Sequence, residues 1–450
     1  MLNLKKENPQ VMGEPVQPAI EEKKNTEVPS LFHKSPLIPA LLEETSTSEW
    51  GSDLKDLSGI KDLTYHLTES LTKYFCAYPD STDDHRKILE EKVQELQNLI
   101  SSALHSSSVD KCEQLAKIHC DTFVFGDVHA RLDIFLKNLY AADLIDKKGN
   151  WIPSDKTMIQ LGDVIDRGNY SLETILYLNA LQKQAKEGDG TVVCLLGNHE
   201  QYLIDFGKAC ASGQPAYDEK TKEIIINFLK KEISDGSIKL IFSNSKKNIV
   251  ASHSEISKTL MLKMLRTYCE HKKISCPFEK GEKVDSLSIY SFMDTENITW
   301  DDLSERTNEI FHSAGGKHTD ELKKLYLRQG DYRSQTPMRS EDKKGILWSR
   351  EKYTRKKSGA ENRCLGIKPH KVVAFCGHTP TESKVPEQFR NQIYVDVGLG
   401  KGNYQGFVAM QQKESLGIFY SVFLKDGNWE FKMLGEQPEK IFTKTKTLEL

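Results

Sequence analysis

Five stretches of the chain place acidic, amide and imidazole side chains directly after an apolar run. They read "GDVHA" with Asp127 and His129, "GDVIDRG" with Asp163, Asp166 and Arg167, and "GNHE" with Asn198, His199 and Glu200. "ASHSE" adds His253 and "CGHTP" adds His378. Oxygen and imidazole donors without a thiolate suit borderline or hard cations such as Mn²⁺, Fe or Zn²⁺. Asp127, His129, Asp163, Asn198, His253 and His378 are too many donors for one ion with an open position, but they suit two ions sharing a carboxylate. Two ions about 3.5–4 Å apart can hold a bridging hydroxide and clamp both oxygens of an in-line displacement at phosphorus.

Residues so far apart in sequence can share a site only if the fold brings their strands together. "DTFVF" (121–125), "KTMIQL" (156–161) and "TVVCLL" (191–196) are short β-rich runs, with helical patterns at 131–144 and 170–187 between them. That alternation predicts βαβ units and parallel pairing. "NIVAS" (248–252), "KVVAFC" (371–376) and "QIYVDV" (392–397) read as further strands, and 406–434 as a meander. In a parallel sheet the carboxyl ends of the strands line one edge, where ligands bind. Five polar clusters at five strand ends therefore converge.

The flanks differ in character. Residues 1–40 hold six of the fifteen prolines among Glu and Lys, so 1–45 reads as disordered or linker. Within 46–118, "DLTYHLTESLTKYF" and "DHRKILEEKVQELQNLISSALHS" space apolar residues three and four apart, as amphipathic helices do. They are expected to pack against the domain that follows. Residues 255–345 look helical and polar, an insertion or cap within a unit at 119–435, and 436–450 reads as a tail.

The 450 residues carry a formal net charge of -3, so nothing pulls the whole chain toward nucleic acid or an acidic membrane. No run of 18 apolar residues predicts a membrane span, and "MLNLKKENPQ" lacks the apolar core of a signal peptide. Nine scattered cysteines without a C-x-x-C pair predict a cytoplasmic or otherwise reducing compartment. "GLGKG" (398–402) lacks the spacing of a phosphate loop and is read as a turn.

"GDVHA", "GDVIDRGNYSLE" and "GNHE", followed by single histidines at 253 and 378, resemble the signature of PPP-family metallophosphoesterases. That family includes phosphoprotein phosphatases and bacterial diadenosine tetraphosphate hydrolases, and the resemblance covers about residues 119–400. It implies an α/β fold: a calcineurin-like β-sandwich flanked by helices, here with a helical N-terminal region and a helical insertion. Asp127, His129 and Asp163 would hold one ion, and Asp163, Asn198, His253 and His378 the other, with Mn²⁺ the first choice. His199 would protonate the leaving group, oriented by Asp166, while Arg167 grips the phosphate. "LWSR" (347–350) makes Arg350 the candidate second phosphate arginine, with Arg328 and Arg333 behind it.

Three departures from the family pattern stand out. Ala130 replaces a usual glycine, Ser254 and Glu255 replace a glycine pair, and the interval from His253 to His378 is long. The expected activity is hydrolysis of phosphomonoesters on phosphoproteins, with dinucleoside polyphosphates as the alternative substrate class. The N-terminal helices and the 255–345 segment are candidates for recruiting a protein partner. Their composition also suggests a bacterial effector delivered into a host cell.

Overall fold

Six of the apolar runs become strands buried on both faces, which explains why they read as continuous rather than alternating. The computed structural model describes residues 61–105, 111–210, 218–278, 284, 286–315, 346–348, 372–389, 392–402, 404–413, 416–426 and 428–435. The expected linker at 1–45, the tail at 436–450, residues 316–345, and Arg328, Arg333 and Arg350 lie outside them.

The first half of the chain runs α1 (Leu63–Ala77), α2 (Asp83–Leu104), α3 (Glu113–Ile118), β1 (Thr122–Phe125), α4 (Leu132–Ala141), β2 (Thr157–Gln160), α5 (Ser171–Glu187), β3 (Thr191–Leu195) and α6 (Asn198–Phe206). Next come α7 (Glu219–Ser234), β4 (Ile238–Lys239), β5 (Ile241–Asn244), β6 (Ile249–Ser252), α8 (Lys258–Lys272), α9 (Ser286–Thr295) and α10 (Trp300–Ser313). The chain ends with β7 (Val373–Cys376), β8 (Glu387–Phe389), β9 (Gln392–Tyr394), β10 (Gly406–Lys413), β11 (Leu416–Lys425) and β12 (Asn428–Gly435).

One sheet has the order β12-β11-β10-β1-β2-β3-β4, and the other β5-β6-β7-β9-β8. β1 to β4 pair in parallel, as do β6, β7 and β9, while the meander β10–β12 joins β1 antiparallel. Val124, Ile159, Val193 and Leu195 of the first sheet share a core with Ile249, Ala251, Val373, Phe375 and Ile393 of the second. The alternate residues Phe123, Phe125, Met158, Val192 and Cys194 face the helices α1, α2, α4, α5 and α7. Strict alternation between two apolar environments thus builds helices, sheet, sheet and helices in layers. The five strand ends belong to two facing sheets and not to the one sheet expected: β1, β2 and β3 lie in the first, β6 and β7 in the second. An apolar run alone does not reveal which sheet it joins.

The N-terminal helices belong to the first core. Asp62 caps α1 by accepting from the N–H of Tyr65, and Thr82 caps α2 through His85. Leu67, Tyr74, Leu89 and Leu96 are buried, and Tyr74 stacks on Phe228 of α7 at 4.7 Å. The described part of 255–345 is likewise structural: α8 to α10 cover the outer face of the second sheet, packing on Val250, Val372 and Ala374. Sequence reading missed α7, despite its apolar Ile224, Ile225, Phe228, Leu229 and Ile233 at helical spacing, and the short strands β4–β5.

Candidate active site

Asp127, His129, Asp163, Asp166, Asn198, His199, His253 and His378 are brought together, each 5% exposed or less. The backbone at the strand ends is unusual. His129, Ala130, Asp163, Asp166, Arg167 and His378 all have left-handed φ values between 49° and 68°. Side chains hold this conformation only where the surroundings impose it. Here the β1 loop is stitched to the β2 loop: Val128 and His129 both donate N–H to the Asp163 carbonyl, and Ala130 donates to Val164.

Glu200 supplies the other restraint. Its carboxylate accepts N–H groups from Gly197, Asp163, Val164 and Ile165 at 2.8–3.0 Å, tying "GDVID" to "GNHE". A Cβ at Gly197 would stand 2.2 Å from the Asp163 carboxylate, so this approach requires glycine.

The histidines are oriented from behind. His253 Nδ1 lies 2.8 Å from the Leu161 carbonyl and His129 Nδ1 3.2 Å from that of Ile165. A carbonyl only accepts, so each Nδ1 carries hydrogen and each Nε2 lone pair turns inward, as ligating histidines require. His253 Nε2 is 2.9 Å from Asn198 Oδ1 and 3.5 Å from Asp163 Oδ1. His199 Nδ1 is 2.7 Å from Asp166 Oδ2, leaving its Nε2 3.8 Å from Asp163 Oδ2. Asp127 accepts the His378 N–H at 2.9 Å and lies 3.8 Å from His129 Nε2.

Burial and neighbouring carboxylates dominate the electrostatics. Burial, Asp396 and Asp163 push the Asp127 carboxyl well above the usual range. Burial raises Asp163 too, but the four surrounding histidines outweigh it and hold the acid below its ordinary value. Burial lowers His199, yet Asp163 and Asp166 prevail and push it up to about 11.

This donor set fits divalent cations. Two groups, His129–Asp163–His199 and Asp163–His253–His378, bring their ligand atoms within 4.8 Å of one another and share Asp163. The His253 and Asn198 acceptors face each other at 2.9 Å, a pairing that one cation satisfies for both. Arg167 Nη1 touches His129 Nε2, so the guanidinium competes with an ion for that lone pair, and Nη2 lies 3.1 Å from His199 Nε2.

Sequence reasoning missed several neighbours. Asp396, 2% exposed, accepts the Gly398 N–H at 2.7 Å, and burial pushes it up to about 6. It lies within the sixth apolar run, just past the end of β9, so the strand-end rule applied once more would have found it. Cys210 donates its N–H to Asp166 at 3.1 Å, but no local pattern marks it. "GLGKG" forms one short 3-10 turn, Leu399–Lys401, whose Gly400 lies against His129, where a Cβ would come within 2.5 Å of the ring.

Residues 122–382 match the family model described as Calcineurin-like phosphoesterase. The chain is 33% identical over 80 residues to Shewanella-like protein phosphatase 2 of Arabidopsis thaliana, covering 18% of this chain and 20% of that protein. It is 34% identical over 98 residues to Shewanella-like protein phosphatase 1 of Plasmodium berghei, covering 22% and 27%. The matched stretches therefore span about a quarter of these relatives or less. Among solved structures, a cold-active protein-tyrosine phosphatase of a Shewanella species aligns over 72% of this chain and 84% of its own, at 19% identity and a TM-score of 0.40.

Proposed function

The chain belongs to the calcineurin-like phosphoesterase family, and we propose that it is a metal-dependent phosphatase that hydrolyses phosphomonoesters on phosphoproteins. The observation that carries this reading is the convergence of His129, His253 and His378 on one buried carboxylate, Asp163, beside the His199 imidazole tethered to Asp166. Asp127, His129 and Asp163 would hold one ion, and Asp163, Asn198, His253 and His378 the other, with Mn²⁺ the first choice. When bound, such ions supply Lewis-acid polarisation of the phosphate and a water activated for attack.

The chain's own residues do the rest. Asp166 fixes the His199 ring through Nδ1, which leaves Nε2 to hold the proton that a departing alkoxide would take. Two carboxylates favour the charged imidazole, and proton donation to a leaving oxygen is what ester cleavage needs. Arg167 can form paired bonds to phosphate oxygens. Arg350 remains the proposed second phosphate arginine.

The test is hydrolysis of an aryl phosphate by the full chain with and without added Mn²⁺, followed by phosphopeptides against diadenosine tetraphosphate. Metal-independent turnover would overturn the two-ion centre. Faster turnover of the dinucleotide would move the substrate class to anhydrides.

Among the described residues no helix is long and apolar enough to cross a membrane. We propose that the N-terminal helices, of which α2 exposes Lys87 and Glu91 at 75% and 59%, or the 255–345 segment recruit a protein partner inside a host cell. Pull-down with Lys87→Glu and Glu91→Lys tests the α2 face, and unchanged capture of the same partner would remove this surface from consideration.

A further inference from the structure

Ser254 stands where the family pattern has glycine. It donates both its N–H, at 3.1 Å, and its hydroxyl, at 2.6 Å, to the carbonyl of Ile346. Ile346 and Leu347 are fully buried in the core beneath α8 and α10. The next residue, Trp348, sets its ring edge-on to His378, with centroids 5.7 Å apart and an interplanar angle of 79°. His253 meets the same imidazole at 5.0 Å and 63°. His378 thus sits against two rings, and the residue next to His253 ties down the segment that carries the second.

We propose that Ser254 and Trp348 form a clamp that positions the His378 imidazole for a divalent ion, Trp348 as the positioning residue and Ser254 as its anchor. The proposal rests on the two-ion reading above. Its physical basis is pre-organisation. The His378 backbone is already imposed, with φ at 62° and its N–H on Asp127. Those restraints act on the backbone, whereas the contacts of His253 and Trp348 act on the ring itself. Edge-to-face packing favours one ring orientation, so the ion meets a ligand already aimed. Without the indole, ordering the ring would be charged against metal binding, and outer partners of ligating histidines typically contribute about 10–100-fold in affinity. The long chain between the two histidines then has a local use: it returns to the site to brace the ligand.

The test is Mn²⁺ titration of the chelator-stripped full-length protein by calorimetry, with elemental analysis for stoichiometry and thermal melting of the apoprotein as a control. Trp348→Ala is expected to weaken one of two binding steps about tenfold and leave the other unchanged. Trp348→Phe should recover most of the loss because it restores a ring edge. Ser254→Ala should shift the same step in the same direction by a smaller factor. If Trp348→Ala melts far below the wild type, Trp348→Phe and Ser254→Ala decide the matter. A folded Trp348→Ala, or a Ser254→Ala, with both steps unchanged overturns the clamp alone. A wild type that binds no ion overturns the two-ion reading and the clamp with it.

Discussion

The Glu200 carboxylate accepts the N–H of Asp163 at 3.0 Å, and through three further N–H groups it holds the whole turn that presents the Asp163 side chain. One buried acid therefore sets the shape of the loop that carries the proposed shared ligand. Glu200→Gln turns an amide toward N–H donors, leaving buried groups unpaired at about 1–3 kcal/mol. Urea unfolding should show that loss, and metal content should fall with it. An unchanged midpoint would mean that the stitching to the β1 loop suffices.

His199 and Asp166 are expected to behave as a unit. His199→Asn should lower kcat on an aryl phosphate by about 10²–10⁴-fold with little change in KM, as loss of general acid catalysis does. Asp166→Asn should lower kcat less, because the imidazole remains but loses its orienting carboxylate. Esters with better leaving groups need less protonation, so the defect should shrink along a leaving-group series. A constant defect would remove His199 from the acid role.

Arg167 should act on binding. Its loss in Arg167→Ala removes charge-assisted bonds of about 1.5–3 kcal/mol, so KM for a phosphomonoester should rise about 10–100-fold. Lysine cannot reproduce the planar fork, so Arg167→Lys should rescue only part of it. Equal KM values in all three proteins would place Arg167 away from the phosphate.

Chelation followed by dialysis should abolish turnover, and added Mn²⁺ should restore it, with Zn²⁺ and Fe²⁺ as comparison ions. Asp163→Asn should be the most damaging ligand change, since both donor groups use that carboxylate. If Asp163→Asn retained two ions by elemental analysis, the shared role would fall.

Stability should depend on pH through Glu173 of α5, which is 1% exposed beneath α2. Burial pushes its carboxyl up to about 7, with Glu95 adding to the rise and Lys92, at 3.0 Å, opposing it. The hydrogen bond from Glu173 holds Glu95 low, beside Lys92. Because the folded value lies above the unfolded one, this contribution is complete below about pH 4.5 and is lost as pH rises toward 7. The loss amounts to up to about 3 kcal/mol. Glu173→Gln should flatten denaturation midpoints across that window, and an equally steep Glu173→Gln profile would assign the dependence elsewhere.

The proposed ligand residues were legible as candidates because each follows an apolar run, and a strand end is a local event written in adjacent residues. The partition of strands between two sheets was not, since Val124 and Val373 look alike in sequence and meet only in the sandwich. Asp396 was not, because it sits within the run "QIYVDV" and only the end of the strand at Tyr394 sets it apart as a strand-end group. Trp348 escaped for a different reason: its contact with His378 spans thirty residues and depends on where Ser254 holds Ile346. The N-terminal helices were visible by their periodicity, but their share in the first core follows from contacts such as Tyr74 on Phe228, which periodicity does not encode.

The donors divide between the sheets: Asp127, Asp163 and Asn198 follow strands of the first, and His253 and His378 follow strands of the second. An ion shared by Asp163 and the two histidines would act as a rivet through the seam of the sandwich. It would bind the docked arrangement and not the separated one, adding about 2.7 kcal/mol to docking at a hundred times its dissociation constant. Metal supply in the surroundings would then govern how long the folded chain persists as well as how fast it turns over.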